Sequence, residues 1–338
     1  MITRREFLVS ASAAVLVGPA TVRAEALNRQ AAGSPASGPA RGAFSLDDNR
    51  ARFFCPGIRE PIRIVMIADT HLFLDDERGE PYREFSARMA RAYNRTTHVR
   101  TGGPTNPAAS FEEALRIARE READLIALAG DIFSFPSEAA IDWALQRLNA
   151  SGLPYLYTAG NHDWHYEGMP GPLEDLRAHW TGRRLRPLYQ GQDPLMGVRQ
   201  VKGLRVVGID NSTYGIQPEQ LAFFRAQAAT GMPLILLVHI PLYAPGRPVS
   251  FGCGHPEWGA ASDKNAVLER RPPWPEAGHT AVTMAFHREV FNTPNLLGVL
   301  AGHIHRPSLD IVNGVPQVVA EANAEGGYVD VELLPRGS

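Results

Sequence analysis

The sequence predicts an α/β fold, because short apolar runs of strand length alternate along the chain with segments of helical periodicity. The chain has 338 residues, of which 44% are hydrophobic and 21% are charged. A chain of this size and composition can bury a full core as one domain, or as one domain with elaborations.

The predicted elements follow in order along the chain. Apolar runs predict strands at residues 62–68, 124–129, 153–159, 205–209, 234–238, 295–301, 310–312, 317–320 and 328–333, the third of these being the most mixed in composition. Helical periodicity predicts helices at residues 111–122, 138–150, 218–228 and 281–291. This pattern by itself establishes only the α/β class.

Residues 1–24 are predicted to be an export signal. Residues 3–8, Thr-Arg-Arg-Glu-Phe-Leu, resemble the twin-arginine consensus, and residues 9–17 form an apolar stretch too short for a permanent transmembrane helix. Residues 22–24, Val-Arg-Ala, form a candidate cleavage site. The alternative is a cytoplasmic N-terminus with accidental arginines. We therefore expect a periplasmic or secreted protein, exported by the twin-arginine route, without a permanent membrane span.

The rest of the chain is predicted to form a linker and one domain. Residues 25–45 are expected to be a flexible linker, because residues 31–42 are rich in Ala, Gly, Ser and Pro and hold almost no large apolar side chain. The domain is predicted to span residues 46–338. It contains two long inserts, at 75–109 and 243–280, of which the second has few helical or strand signals.

Charge and cysteine content restrict the possible partners and the redox chemistry. The formal net charge of -2 gives no global field for nucleic acid or for an anionic membrane, so the partner must be recognised by a local site. Cys55 and Cys253 are the two cysteines, and an exported location would permit a disulfide between them. Two unpaired, buried thiols are favoured, because nothing in the sequence brings the two segments together.

Metal-binding residue types follow five of the apolar runs. They are Asp69 and His71, Asp131 after Gly130, Asn161 with His162 and Asp163, His239, and His303 and His305 after Gly302. Loops that leave the strand ends of a sheet covered on both faces converge on one rim. Carboxylate, amide and imidazole ligands without a thiolate suit two first-row divalent or trivalent ions rather than a structural zinc.

These blocks resemble the signature of the calcineurin-like metallophosphoesterases. The family's five motifs are present in order as Ala-Asp-Thr-His, Ala-Gly-Asp, Ala-Gly-Asn-His-Asp, Val-His-Ile-Pro and Ala-Gly-His-Ile-His, over about residues 62–306. The resemblance implies a four-layer sandwich of two mixed β-sheets flanked by helices. It also implies two metal ions, such as Mn, Fe or Zn.

The resemblance further assigns roles to individual residues. Asp69, His71 and His305 are expected to hold one ion, and Asn161, His239 and His303 the other, with Asp131 as the bridge. A metal-bridging hydroxide would attack phosphorus, His162 would act as general acid, and Asp163 would orient the His162 ring through its second nitrogen. The alternative for His162 is a loop imidazole that caps a helix.

The insert at 75–109 begins four residues after His71, so its start must lie near the metals. It is rich in arginine and also holds Tyr82, Tyr93 and Asn94. Arginine binds phosphate well, but an arginine-rich helix is more often a solvated face. Contact with the substrate and a solvated surface are both open interpretations.

The insert at 243–280 is irregular and rich in proline and aromatic residues, among them Trp258 and Trp274. Long irregular segments within an enzyme are usually lids or binding loops. The alternative is a proline-stiffened flap that shields the core.

Several other residues are left out of the predicted site. His165 is not assigned as a ligand, and His98, His179, His279 and His287 are interpreted as surface or packing residues. Ser134 stands where purple acid phosphatases carry an iron-binding tyrosine, so no purple colour is expected.

The sequence thus predicts an exported, metal-dependent phosphoesterase that acts on a small-molecule phosphate ester, either a monoester or a diester. A non-catalytic scaffold with the same fold is the first alternative, although every expected ligand is present. A nuclease is the second, which the near-neutral charge disfavours. The sequence does not indicate the oligomeric state.

Overall fold

The computed structural model of the protein describes residues 42–336. The predicted signal at 1–24 lies outside these residues, as does the linker up to residue 41. The first strand begins at Ala43, so the domain starts three residues before the predicted boundary at residue 46. Residues 43–45 therefore belong to a strand and not to a flexible linker.

Residues 42–336 form twelve β-strands and six α-helices. The strands are β1 Ala43–Asp47, β2 Arg50–Cys55, β3 Ile62–Ile67, β4 Leu125–Leu128, β5 Tyr155–Tyr157, β6 Met196–Val201, β7 Leu204–Ile209, β8 Leu234–Leu237, β9 Leu296–Ala301, β10 Ser308–Val312, β11 Val315–Val319 and β12 Val329–Pro335. The helices are α1 Arg83–Ala92, α2 Pro107–Glu120, α3 Glu138–Ser151, α4 Leu173–Trp180, α5 Pro218–Ala228 and α6 Ala281–Asn292. No helix within this range is both long and apolar enough to cross a membrane.

The strands form two mixed six-stranded sheets. The first has the order β1-β2-β12-β3-β4-β5, and the second has the order β10-β11-β9-β8-β7-β6. In the first sheet β3, β4 and β5 are parallel, and β12 runs antiparallel to β3. In the second sheet β7, β8, β9 and β11 are parallel.

Three buried clusters show the layers. In β3, Ile64 and Met66 pack into the cluster between the two sheets, whereas Val65 and Ile67 pack against the helices, as the alternation of a strand requires. The helices on that outer face include α2 and α3. Helices α5 and α6 cover the outer face of the second sheet, where Phe224 and Phe286 lie. The predicted four-layer sandwich is confirmed.

Parallel strands place the polar loops at one edge. Leu128 of β4 pairs with both Ile67 of β3 and Tyr157 of β5, so these three strands end side by side. Leu237 of β8 pairs with Leu300 of β9 in the second sheet. The loops that follow all five strands carry the residues predicted to bind metal, which explains how blocks far apart in sequence meet.

The elements that the sequence did not predict have weak patterns. The residues of edge strand β6 are mostly half-buried, and the strand therefore carries no continuous apolar run that would predict it. The hairpin of β1 and β2, helix α1 and helix α4 were also absent from the prediction. Helix α2 begins four residues before the predicted start, because Asn106 accepts a hydrogen bond from the N–H of Ala109 and Pro107 occupies the first turn.

Candidate metal centre

The predicted ligands lie in sharp loops with an unusual backbone. Asp69, His71, Asp131, His303 and His305 have φ between +49° and +74°. Few residues other than glycine adopt this left-handed region. Such conformations persist only where the surrounding structure enforces them, and they are common at functional sites.

Glycines beside the ligands let these loops approach one another. A Cβ at Gly130 would lie 2.7 Å from Nδ1 of His239, and a Cβ at Gly302 would lie 2.6 Å from Oδ2 of Asp69. Gly130 also has φ +83°, which disfavours a side chain. The glycines of the sequence blocks are therefore required by close packing of the loops.

One group of possible ligands contains Asp69, His71, Asp131 and His305, whose ligand atoms all lie within 4.8 Å of one another. Nε2 of His305 is 3.0 Å from Nε2 of His71 and 3.4 Å from Oδ1 of Asp69. The main-chain N–H of His303 donates to both oxygens of Asp69, at 3.0 and 2.9 Å, which holds this carboxylate in place.

A second group contains Asp131, His239 and His303. Nε2 of His239 is 3.2 Å from Oδ2 of Asp131 and 3.3 Å from Nδ1 of His303. The other nitrogens of these rings contact protein oxygens. Nδ1 of His239 is 2.8 Å from the carbonyl of Ala129, and Nε2 of His303 is 2.7 Å from the hydroxyl of Tyr214. Contacts of this kind orient metal-binding imidazoles.

Asp131 belongs to both groups and is therefore the residue placed to bridge two ions. Its Oδ1 accepts a 2.8 Å hydrogen bond from the main-chain N–H of His162. Burial raises the pKa of Asp131, but the imidazoles of His239, His162 and His71 outweigh burial and hold this pKa well below its usual range. The carboxyl is thus an anion at neutral pH, as a bridging ligand must be.

The imidazoles differ in their affinity for protons. Burial, reinforced by His305, holds the pKa of His71 well below its usual range, and burial reinforced by His239 does the same for His303. Burial also lowers the pKa of His239, but Asp131 raises it to about 9. Because metals bind neutral imidazole, His239 would release a proton on metal binding.

The donor set fits metal ions better than it fits a self-contained polar cluster. Oδ1 of Asn161 is buried and has no hydrogen-bond partner within residues 42–336. Such an orphaned atom is costly unless a ligand engages it. Asn161 lines the same cavity as His303. Carboxylate, imidazole and amide donors together suit ions such as Mn, Fe or Zn.

Comparison with known proteins agrees with this geometry. The sequence profile of the calcineurin-like phosphoesterases matches residues 62–307, which contain every predicted ligand. The chain belongs to the calcineurin-like phosphoesterase family. No curated protein matches the chain in sequence.

Solved structures show similar folds. A dimetal phosphatase from Danio rerio is 12% identical, with a TM-score of 0.50, over 81% of this chain and 93% of that chain. A purple acid phosphatase from yellow lupin (Lupinus luteus) seeds is 15% identical, with a TM-score of 0.44, over 82% of this chain and 46% of that chain. At such identities the likeness concerns the fold of the calcineurin-like phosphoesterases alone.

His162 of this calcineurin-like phosphoesterase lies among the metal-binding candidates. Its ring centroid is 5.1 Å from that of His71, and its Nε2 is 3.2 Å from the hydroxyl of Tyr93. Within the described part of the chain, its Nδ1 is buried without a hydrogen-bond partner. His162 therefore lies beside the site, and the alternative of a helix-capping imidazole does not describe its contacts.

The expected role of Asp163 is wrong. Its carboxylate accepts main-chain hydrogen bonds from Asp131, Phe133 and Gly160 at 3.0, 2.8 and 2.8 Å, and it does not orient the His162 ring. Burial and the nearby Asp131 raise the pKa of Asp163 to about 7, against the opposing effect of the main-chain donors. Asp163 ties together the two loops that carry Asp131 and Asn161, and so acts on the site through the backbone.

Two tyrosines complete the surroundings of the ligands. The ring of Tyr93 stacks on His71, with centroids 3.8 Å apart and planes 7° apart. The hydroxyl of Tyr214 contacts His303, as described above. Tyr93 lies in the arginine-rich insert, where the sequence indicates no role for it, and Tyr214 lies outside every predicted site segment. Neither residue belongs to a motif block, so only the three-dimensional packing identifies them.

The arginines of the first insert mostly form ion pairs with carboxylates. The pairs join Arg78 to Asp76 and Asp142, Arg83 to Glu80, Arg88 to Glu167, Arg95 to Glu325 and Arg100 to Asp48. These contacts agree with the interpretation of a solvated face. Tyr93 of this insert contacts the predicted ligands His71 and His305.

The second insert forms one wall of a small cavity beside the predicted metal ligands. Glu269, Arg271 and Trp274 line this cavity together with His303, and its volume is about 40 Å³. We call it the metal-side cavity. The insert therefore covers the rim of the site, as the lid interpretation expects.

Another part of the same insert belongs to the core. Phe251 and Cys253 are buried against the second sheet, and the N–H of Tyr243 donates to the carbonyl of Cys253 at 2.8 Å. The lid and shield interpretations thus describe different portions of one segment. Cys55 and Cys253 are both buried and free, which confirms the favoured prediction of two unpaired thiols.

Three of the histidines left out of the ligand set have structural contacts, whereas His165 lines the metal-side cavity. His98 pairs with Glu113 at 3.2 Å, Nε2 of His279 accepts a 2.9 Å bond from the N–H of Gly254, and Nε2 of His287 is 2.7 Å from a carbonyl. Ser134 is buried, and its hydroxyl donates to the carbonyl of His71 at 3.0 Å.

Proposed function

We propose that the protein is an exported, metal-dependent phosphoesterase that hydrolyses a small-molecule phosphate ester, either a monoester or a diester. The observation that carries the proposal is the convergence of two ligand groups on one shared carboxylate, Asp131. A non-catalytic scaffold would not require this arrangement.

The residues fall into two sets around Asp131. Asp69, His71 and His305 would hold one ion, and His239 and His303, with the orphaned oxygen of Asn161, would hold the other. When bound, two such ions lower the pKa of a water molecule and neutralise charge on the phosphoryl oxygens.

His162 is proposed as the general acid. Hydrolysis cleaves the bond between phosphorus and the leaving oxygen, which then needs a proton, and an imidazole at hydrogen-bonding distance can deliver one. The main-chain bond from His162 to Asp131 fixes its backbone, and Nε2 is the ring nitrogen that contacts the Tyr93 hydroxyl. Nδ1 is buried and has no hydrogen-bond partner within the described residues, so we assign delivery of the proton to Nε2.

A metal-reconstituted activity screen tests the proposal. The metal-free protein is loaded with Mn, Fe or Zn and assayed on bis-p-nitrophenyl phosphate and p-nitrophenyl phosphate, and then on nucleotide and phospholipid esters. His239→Ala is expected to lose at least about 10²-fold in turnover, whereas His179→Ala, at an exposed position in α4, retains the activity. Two bound metals without hydrolysis of any ester would support the scaffold instead.

Export is the part of the proposal that rests on sequence alone. The expected mature protein begins after Ala24 and is recovered outside the cytoplasm. Mass spectrometry of the protein isolated from periplasmic and secreted fractions measures this directly. A full-length chain confined to the cytoplasm would contradict export without affecting the proposed chemistry.

A further inference from the structure

A cavity of about 430 Å³ is lined in part by the second insert. Its wall includes Trp258, Trp274 and the prolines Pro272, Pro273 and Pro275. A volume in this range is typical of sites for small molecules. We call it the apolar cavity.

The apolar cavity adjoins the metal-side cavity. Leu173, Thr213 and Trp274 line both cavities, and Asn161 and His303 line the metal-side cavity as well. The apolar cavity is therefore the space next to a phosphoryl group that reaches Asn161 and His303.

The lining of the apolar cavity suits a neutral group. Among the described residues that form its wall there is no lysine or arginine, and Glu174 adds a carboxylate. Burial lowers the pKa of His279 to about 4, so this residue is neutral at pH 7. Its ring stacks on Trp258, with centroids 4.2 Å apart. An additional phosphate would find no cation here, whereas an apolar chain or ring would gain aromatic and proline contacts.

We infer that the apolar cavity binds the leaving group of the phosphate ester, and that the enzyme selects esters of neutral, apolar alcohols over esters whose alcohol carries a charge or a further phosphate. This inference rests on the proposed function, since it assigns a place to one product of that reaction. Water attacks phosphorus and releases one proton to solvent, the bond from phosphorus to the alcohol oxygen breaks, and the alcohol departs with the proton that His162 supplies and later regains from solvent.

A homologous substrate series tests the inference. The series comprises n-alkyl phosphates from ethyl to octyl, or their methyl diesters if the enzyme hydrolyses diesters, because their leaving alcohols hardly differ in acidity. The metal-loaded enzyme is expected to gain about fourfold in kcat/KM for each methylene buried, until the cavity is filled. Adding a terminal carboxylate or phosphate to the longest chain should remove the gain.

A cavity-filling variant shows whether this cavity is responsible. A Cβ at Gly215, which lines the cavity, would meet only Oγ1 of Thr213 at an ordinary 3.5 Å, so Gly215→Leu fills space without a backbone conflict. Gly182→Leu is the matched control, since a Cβ there has no neighbour within 4 Å. The ratio of kcat/KM for octyl over ethyl esters should fall at least tenfold in Gly215→Leu and stay unchanged in Gly182→Leu.

A second variant and a binding measurement test the role of the apolar cavity independently of Gly215→Leu. Pro273 is exposed at the cavity wall, so Pro273→Glu places a charge there with little risk to folding and should lower the same ratio. Binding of 1-octanol, followed by tryptophan fluorescence, does not require hydrolysis. Octanol should bind more tightly than ethanol, and Gly215→Leu should weaken octanol binding.

The outcomes separate the two proposals. A rising series whose slope falls in Gly215→Leu and Pro273→Glu supports the inference. A flat series in the active enzyme, or equal slopes in Gly215→Leu and Gly182→Leu, overturns it. If no ester is hydrolysed, the proposed function fails, and octanol binding then tests the cavity separately. Saturable octanol binding that Gly215→Leu weakens would support an apolar binding site. No saturable binding would overturn the apolar site.

Discussion

The hydroxyl of Tyr93 lies 3.2 Å from Nε2 of His162, while the Tyr93 ring stacks on His71 at 3.8 Å. One residue of the first insert thus contacts both the proposed general acid and a predicted ligand. The ring packs against the ligand, and the hydroxyl lies beside the ring nitrogen that we propose delivers the proton. These two contacts can be separated experimentally, because phenylalanine preserves the first and removes the second.

Tyr93→Phe should therefore retain two metals and lose roughly tenfold in kcat on esters with poor leaving groups, with little change in KM. The physical reason is that His162 loses the hydrogen bond that sets its ring orientation, an effect worth about 1 kcal/mol or more. Tyr82→Phe is the control, since the Tyr82 ring packs on Tyr166 and Trp180 away from the ligands. Equal kinetics for Tyr93→Phe and the wild type would show that the hydroxyl does not position His162.

His162→Ala should keep its metals and lose roughly 10² to 10⁴-fold in turnover on esters of poor leaving groups, the usual range for a general acid. Nitrophenolate leaves readily without a proton, so the loss on nitrophenyl esters should be smaller. Steady-state kinetics on both ester types measures the difference. Losses of the same size on both would indicate that His162 positions the phosphoryl group instead.

Asp163→Asn should destabilise the metal-free protein by about 1 to 3 kcal/mol. The buried carboxylate accepts three main-chain N–H groups, and an amide has one oxygen, so at least one buried donor would lose its partner. Urea unfolding measures the change. Asp193→Asn is the control, because Asp193 accepts a single main-chain bond at an exposed site and should change stability by less than about 0.5 kcal/mol. An unchanged midpoint for Asp163→Asn would contradict its role in tying the loops.

Both thiols should resist modification in the native protein. Burial raises the pKa of Cys55 and of Cys253 to about 12. Each thiol therefore stays protonated at pH 8, with roughly 10³-fold less thiolate than an ordinary cysteine. Titration with a disulfide reagent should detect neither thiol before unfolding and both after it. Detection of no thiol after unfolding, in the absence of reductant, would indicate a disulfide.

The sequence predicted the parts of the fold that are set by local patterns. Apolar runs such as residues 62–68 and 295–301 identified buried strands, because strands covered on both faces are apolar throughout. Edge strand β6 has mostly half-buried residues and so carries no such run. The boundary of the domain was missed by three residues because β1 is short and half-exposed.

The sequence likewise predicts one part of the candidate site and not the other. The positions of the predicted ligands follow from motif blocks at strand ends, and their convergence follows from parallel strands. The contacts of Asp163 could not be predicted, because they depend on which main-chain N–H groups the neighbouring loops leave unpaired. The sequence likewise does not identify Tyr93 and Tyr214 as site residues. The insert and the loop that carry these tyrosines have no fixed spacing from the ligands that the tyrosines contact.

The proposed two-ion centre depends most directly on the shared carboxylate of Asp131. Elemental analysis of Asp131→Ala should find fewer than two tightly held metals per chain, because removal of the bridge leaves each ion short of a ligand and leaves their charges without a shared anion. Wild type and Asp175→Ala, altered at an exposed position of α4, should each hold two. Two tightly bound metals in Asp131→Ala would contradict the assignment of Asp131 as the bridge between two ions.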